Sequence, residues 1–387
     1  MISIKEALAI VLAQDAPKLQ TRKSVNEALG YNLAGDITSP LDLPSFDNSA
    51  MDGYAVCGYD ETFTLKGEIA AGSTTENELS EGEAMRIFTG GKVPKNATAV
   101  IMQEKTKTQG KLLNISDEVV KGKNIRLTGE EIKKGHKVFE SGQHVTPATI
   151  GILNSLGFQE IDVFEKPRIS MITTGNELIN PGTPLEEGQI YESNGPTMIA
   201  ALNQFGFECQ AHTQIKDDFD AIKWTIGEQL DQSDLLLISG GISVGDYDFV
   251  KQALIENGVA ECFYKVDQKP GKPLFFGRRN NAFVFGLPGN PASGLTCFYI
   301  YVLPLLQQLA GAKKVGLNQI KLPIAHDFII KSDRPTFYKA LIEDGKVSLL
   351  DGQSSSMLHS LALGNAIVFL DAPKIIEKED LVDCYML

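Results

Sequence analysis

The stretch Leu235-Leu236-Leu237-Ile238-Ser239-Gly240-Gly241-Ile242-Ser243-Val244-Gly245-Asp246-Tyr247-Asp248 constrains this chain more than any other. Four consecutive apolar residues without polar alternation predict a strand buried on both faces, as in a parallel sheet. Ser239, Gly240 and Gly241 punctuate its end, and Phe249, Val250, Ala253 and Leu254 then recur at helical spacing. Strand, glycine turn and helix is the unit with which open α/β folds hold a ligand at the carboxyl end of a sheet. The backbone N–H groups of such a turn, and the helix N-terminus after it, favour anions. Asp246 and Asp248 in the same turn offer oxygen ligands to a hard cation beside that anion. An anion held together with a divalent cation is the expectation; glycines that only end a strand are the simpler alternative.

Several classes are disfavoured. Neither a G-x-x-x-x-G-K-[ST] loop nor a G-x-G-x-x-G fingerprint is present. A formal net charge of −13 over 387 residues argues against nucleic acid and anionic membranes as partners, so an anionic ligand must meet a local basic patch. The five cysteines are odd in number and lack C-x-x-C spacing, which suits reduced cytoplasmic thiols better than disulfides or zinc. Ser3-Ile4-Lys5-Glu6 is a capping box ahead of Ile4, Ala7, Leu8, Val11 and Leu12 at helical spacing, an amphipathic first helix rather than an export signal. The longest apolar stretch, Leu295–Leu309, is cut by Pro304 and two glutamines, and no membrane span is expected.

The length predicts two to four domains. Ser24–Leu33 reads as a short helical piece. The loop Phe46–Asp52 crowds Asp47, Asn48, Ser49 and Asp52, which suit either a metal or hydroxyl-rich ligand or a set of Asx turns. Residues 60–135 read as short strands with frequent glycine, a small β-domain. Within it Thr89 precedes a Gly-Gly turn. Arg126 is able to grip a phosphate or carboxylate bidentately, although a surface ion pair is the commoner fate.

From Arg168 onward strands and helices alternate, which predicts a parallel sheet in a three-layer α/β arrangement. Glu177, Asp217 and the Asp246/Asp248 pair each follow a strand of that sheet, so their carboxylates are expected to converge on one rim. Lys269 and Lys272, on a loop stiffened by Pro270 and Pro273, form a basic patch suited to an oxyanion. Gly286-Leu287-Pro288-Gly289-Asn290-Pro291 then opens a helix at Ser293–Leu309, a second anion cradle. Beyond Leu317 strands return, with Asp344-Gly345 as a hairpin turn, and predict a closing β-domain.

Seven segments together, Phe46–Val56, Phe88–Pro94, Asn124–Glu130, Thr174–Leu178, Ser239–Asp248, Lys269–Pro273 and Gly286–Ser293, resemble the molybdopterin molybdenumtransferase (MoeA) family, related to the C-terminal domain of gephyrin. They occur in the family's order across residues 45–294. The resemblance implies an elongated homodimer of four-domain subunits. Residues 1–19 with 167–316 would form the molybdopterin-binding α/β domain, and 20–38 with 136–166 a connecting domain. Residues 39–135 would be the β-rich insert and 317–387 a β-barrel-like C-terminal domain.

It also implies a Mg²⁺-dependent reaction in the cytoplasm. Molybdate is inserted into adenylylated molybdopterin, AMP is released, and the molybdopterin adenylyltransferase is the expected partner enzyme. By position Asp52, Thr89, Glu177, Asp217 and Asp248 match catalytic residues. Glu177, Asp217 and Asp248 would serve cation binding or water activation, with Asp246 an alternative ligand. Arg126, Lys269 and Lys272 would neutralise phosphate or molybdate. Gly240, Gly241, Ser243, Pro288, Gly289, Asn290, Pro291 and Ser355 would line the substrate site. Asp52 and Thr89 would reach the cleft across the dimer. One departure is Asn176, where the family commonly has an aspartate. The competing readings are an adenylylating enzyme of the neighbouring step, a gephyrin-like scaffold and a generic Mg²⁺-dependent phosphate-ester hydrolase.

Overall fold

The computed structural model describes every residue except 71, 73–76, 243–248, 331 and 372–374. The chain divides into two compact units, one of Met1–Arg22, Gly30–Ala34 and Asp162–Leu387, the other of Lys23–Leu29 and Gly35–Ile161.

In the larger unit the strands Cys209–Ile215, Ile169–Thr174, Leu235–Ser239 and Ala282–Leu287 lie side by side and parallel. Phe275–Arg279 and Ala260–Tyr264 extend that sheet antiparallel. The leucine-rich strand is apolar throughout because both of its faces are covered. Leu235 and Leu237 join a core with helices Ile4–Leu12, Asn194–Gln204 and Pro291–Leu309, whereas Leu236 and Ile238 face Phe219–Gln232 and Phe249–Glu256. The three-layer α/β fold expected from the alternation is therefore present. From Ile169–Thr174 the chain lays Cys209–Ile215 on one side, then returns to lay Leu235–Ser239 on the other. The helices that follow Ile169–Thr174 and Leu235–Ser239, namely Asn194–Gln204 and Phe249–Glu256, cover opposite faces, which opens a crevice at the carboxyl ends of these two strands.

Ser3 caps the first helix as its capping box predicts, its hydroxyl accepting from the Glu6 N–H while Glu6 accepts from the Ser3 N–H. The helix expected at Ser293–Leu309 starts two residues earlier and runs through Pro304 to Leu309. A π turn at Phe298–Val302 immediately precedes the proline segment, widening the helix where Pro304 can donate no hydrogen bond. Among the described residues this is the one helix with the length and hydropathy of a membrane span. Yet 83% of that window is buried inside the protein, as the spine of the largest core.

Antiparallel strands close the unit in the order Gln319–Pro323, Leu381–Met386, Ala366–Leu370, Thr336–Glu343, Lys346–Leu349. Asp344 and Gly345 both take positive φ, 50° and 74°, as the predicted two-residue hairpin requires. A bridge between Lys269 and Thr336 joins the lysine loop to this sheet.

The smaller unit centres on a six-stranded sheet in which Gly53–Val56 lies between Ala99–Met102 and Glu83–Ile87, antiparallel to both. Ala55 and Val100 pack on one face, Val56 and Ile101 on the other. A Cβ on Gly53 would lie 2.0 Å from the Ile101 carbonyl oxygen, so glycine is what lets the strand close up beside Asp52. The helical piece expected at Ser24–Leu33 is not formed beyond one 3₁₀ turn at Val25–Glu27. Gly30 turns the chain at φ 78°, and the buried Asn32 amide donates to the Ala310 carbonyl at 2.8 Å, a long-range bond that overrides local helix propensity.

Candidate functional site

At the crevice, the register places Thr173 beside Ser239, so Gly240 leaves the sheet next to Thr174, the last residue of its own strand. Gly240 has φ +94°, and a Cβ there would stand 2.5 Å from the Thr174 carbonyl oxygen. Gly241, at φ +59°, would press Val250. Both positions thus need glycine on conformational and steric grounds. Around this turn lies a cavity of about 600 Å³ lined by Glu177, Asp217, Gly240, Gly241, Pro288, Gly289, Asn290 and Pro291. The structure therefore brings two of the strand-end acids together with both glycine turns. Ser243, Asp246 and Asp248 fall outside the described residues.

The same cavity has lining to which the sequence assigns no site role. Ile190 and Tyr191 are exposed apolar walls, and Thr174, Asn194 and Ser239 form a polar floor. The Asn194 amide donates to the Ser239 hydroxyl at 2.9 Å and to the Gly289 carbonyl at 2.8 Å. Asn194 Oδ1 and Thr174 Oγ1 are buried with no hydrogen-bond partner among the described residues. Leaving such atoms unsatisfied costs about 1–3 kcal/mol each, which a polar ligand in the cavity would recover. Glu192, also buried in the lining, spends Oε1 on the Gly195 N–H at 2.8 Å and so fixes the start of helix Asn194–Gln204.

A second cleft of about 650 Å³ adjoins the first and shares Pro273, Pro288 and Asn290 with it. Lys269 and Lys272, the basic residues expected to meet an oxyanion, line it together with Ser355. Arg334, Ser293 and Ser354 complete it. Its floor is a buried network. Gln268 is 1% exposed, accepts from the Tyr301 hydroxyl, and donates to the carbonyls of Pro270 at 3.0 Å and Gly271 at 3.2 Å. Gly271, at φ +87°, abuts the Cys297 sulfur, and the surrounding burial pushes that thiol up to about 12. Asn290, the N-cap of helix Pro291–Leu309, makes no side-chain bond to its own helix. Instead it donates to the Ser355 hydroxyl at 3.0 Å.

Asp52, Thr89 and Arg126 are gathered in the smaller unit around the loop Phe46–Asp52. Asp52 Oδ1 accepts from the Thr89 backbone N–H at 2.7 Å and from its hydroxyl at 2.8 Å. These bonds, the backbone one foremost, hold the Asp52 carboxyl below the usual aspartate range. Asp47 caps Thr128 in the same manner, at 2.7 Å from both its N–H and its hydroxyl. Arg126 lies opposite Asn48 in a short ladder and pairs with Glu130 and Glu131. The ion-pair fate of Arg126 is thus realised, whereas Asp47 and Asp52 form no Asx turn and accept from residues far along the chain; the local turn is made by Ser49, whose hydroxyl accepts from the Met51 N–H at 3.3 Å.

Comparison with known proteins agrees with this geometry. A family profile described as "MoeA N-terminal region (domain I and II)" matches residues 2–157, and one described as "Probable molybdopterin binding domain" matches 170–308. The molybdopterin molybdenumtransferase of Haemophilus influenzae is 38% identical over 320 residues, 81% of this chain and 79% of the relative. That of Staphylococcus aureus is 31% identical over 382 residues, 95% of this chain and 91% of the relative. The chain belongs to the molybdopterin molybdenumtransferase family. Its fold agrees throughout with the crystal structure of the molybdopterin biosynthesis moeA protein of Pyrococcus horikoshii, with a TM-score of 0.85, 29% identity and all of both chains covered. The seven ordered motifs of the sequence agree with membership of the molybdopterin molybdenumtransferases.

Proposed function

We propose that this chain inserts molybdenum into adenylylated molybdopterin with release of AMP, and that the two adjoining cavities divide the work. The carrying observation is their opposite lining across a shared wall. Glu177 and Asp217 stand in one, Lys269, Lys272 and Arg334 in the other, and Pro273, Pro288 and Asn290 border both. In an acidic protein this basic cleft suits a small tetrahedral dianion, molybdate, as substrate. The larger heterocyclic substrate suits the neighbouring cavity, with Tyr191 and Ile190 as apolar walls and the unpartnered Thr174 and Asn194 atoms as polar contacts.

Mg²⁺ fits the acidic rim. Among the described residues no three His, Cys, Asp or Glu side chains form a ready cage. Mg²⁺, however, is normally held by one or two carboxylates plus substrate phosphates, and Glu177 with Asp217 supplies that complement. Bound there, the ion would supply Lewis acidity to the phosphate linkage that is cleaved. The chain's own part is to hold the oxyanion by Lys269, Lys272 and Arg334, and to turn the glycine N–H groups of Gly240 and Gly241 toward phosphate. Asp246 or Asp248 would complete the acidic set.

The reading further includes a cytoplasmic homodimer in which Asp52 and Thr89 of one subunit serve the cleft of the other. The adenylyltransferase would be the supplier of substrate. The four-domain partition given above goes with it. Five free cysteines, three of them buried, suit a reducing compartment. The test is reconstitution. Purified protein, adenylylated molybdopterin, molybdate and Mg²⁺ are mixed and AMP is followed, with Glu177→Gln alongside. Molybdate-dependent AMP release that the substitution abolishes supports the reading. Tight binding without turnover in the unsubstituted protein overturns it.

A further inference from the structure

Lys339 is a buried lysine, 2% exposed, in the middle of strand Thr336–Glu343. The three N–H donors of its ammonium are shared among four acceptors, the carbonyls of Gly352 at 2.8 Å, Ser354 at 2.9 Å and Met357 at 2.6 Å and the Ser360 hydroxyl at 3.0 Å. No carboxylate lies within ion-pair distance of it among the described residues. Burying an uncompensated charge is expensive, and packing alone would be served better by an apolar side chain. What this charge does is gather a loop. Its backbone is tied into the same loop, since the Lys339 N–H donates to Gln353 Oε1 at 2.9 Å and Gln353 returns a bond to the Lys339 carbonyl at 2.8 Å.

The gathered loop is the hydroxyl wall of the basic cleft. Turning the Gly352, Ser354 and Met357 carbonyls inward leaves Ser354 and Ser355 lining the cleft beside Lys269, Lys272 and Arg334. Ser355 is engaged from the far side as well, its hydroxyl by Asn290 and its carbonyl by the Ser293 N–H at 3.3 Å. The strand that carries Lys339 also carries Thr336, which bridges to Lys269. One strand thus braces both the cationic and the hydroxyl side.

We propose that Lys339 is a positioning residue for oxyanion binding. Its buried ammonium acts as a fixed internal cation that holds residues 352–357 in the shape that receives a tetrahedral dianion. This inference rests on the assignment of molybdate to the basic cleft.

The test uses the full chain, with molybdate alone as the probe in equilibrium dialysis and AMP release for kinetics. Lys339→Met should weaken molybdate binding, and raise the KM for molybdate, at least tenfold. The KM for adenylylated molybdopterin should stay within twofold and the circular dichroism should be native. Molybdate binding untouched by Lys339→Met but lost in Lys272→Ala would overturn the role of Lys339 alone. Binding untouched by both would overturn the cleft assignment with it. Both KM values rising together would show a merely structural lysine and also overturn the proposal. Should Lys339→Met not fold, Ser360→Ala, which lies outside the lining, decides. At least a threefold loss of molybdate affinity is expected, and no loss overturns the proposal.

Discussion

Asn176 and Asp217 exchange hydrogen bonds across two neighbouring strand ends. The Asn176 backbone N–H donates to Asp217 Oδ2 at 3.3 Å, and the Asp217 backbone N–H donates to Asn176 Oδ1 at 3.1 Å. The exchange aims the Asp217 carboxylate without placing a second charge beside it. Asn176→Asp keeps an acceptor for the Asp217 N–H but adds that charge. Without divalent cation the variant should lose on the order of 0.5 kcal/mol, the scale of an exposed charge pair. Mg²⁺ should recover that loss and bind several-fold more tightly, read as the Mg²⁺ dependence of Tm. A Tm response equal to that of the unsubstituted protein would remove these strand ends from the cation site.

The Asp52–Thr89 pair makes a pH prediction. Because the Asp52 carboxyl is held below its ordinary value near 3.8, its contribution to stability is present above that pH and is lost as the pH falls through the lower folded value. Thr89→Val removes the hydroxyl donor and keeps the backbone donor. An NMR titration should find Asp52 closer to the ordinary value in the variant, though still below it.

Gly271→Ala would set a Cβ 2.5 Å from the Cys297 sulfur at a backbone φ of +87°. Overpacking of this kind costs about 1–3 kcal/mol. Urea denaturation should show that loss. Cys297, fully buried in the native protein, should become measurably reactive to alkylation as the loop above it shifts.

Arg334→Ala should cost about tenfold in molybdate affinity, the scale of one charge-assisted hydrogen bond. Affinity for AMP should be unchanged, because Arg334 lines the basic cleft and not the neighbouring acidic cavity. Equilibrium dialysis with each ligand separately checks both halves.

The candidate crevice is legible in the sequence because its signals are local. A strand buried on both faces shows as an unbroken apolar run, and Gly240 and Gly241 mark the place where a side chain would strike Thr174 and Val250. Glu177 and Asp217 follow strands whose parity is plain. Arg334 and Lys339 carry no such signal. Their roles come from the bridge between Lys269 and Thr336, which joins positions far apart in the chain. Thr174 and Asn194 are ordinary strand-end and helix-start residues until packing strips them of partners. Ser24–Leu33 misled for the same reason in reverse, because its helical spacing is outweighed by the bond from Asn32 to Ala310.

The wall of Pro273, Pro288 and Asn290 has a thermodynamic consequence. On the proposed assignment, a shift of this partition on binding one occupant would change the terms offered to the other, linking the two ligands through a single coupling free energy. Whatever factor the nucleotide imposes on molybdate affinity, molybdate imposes in equal measure on the nucleotide.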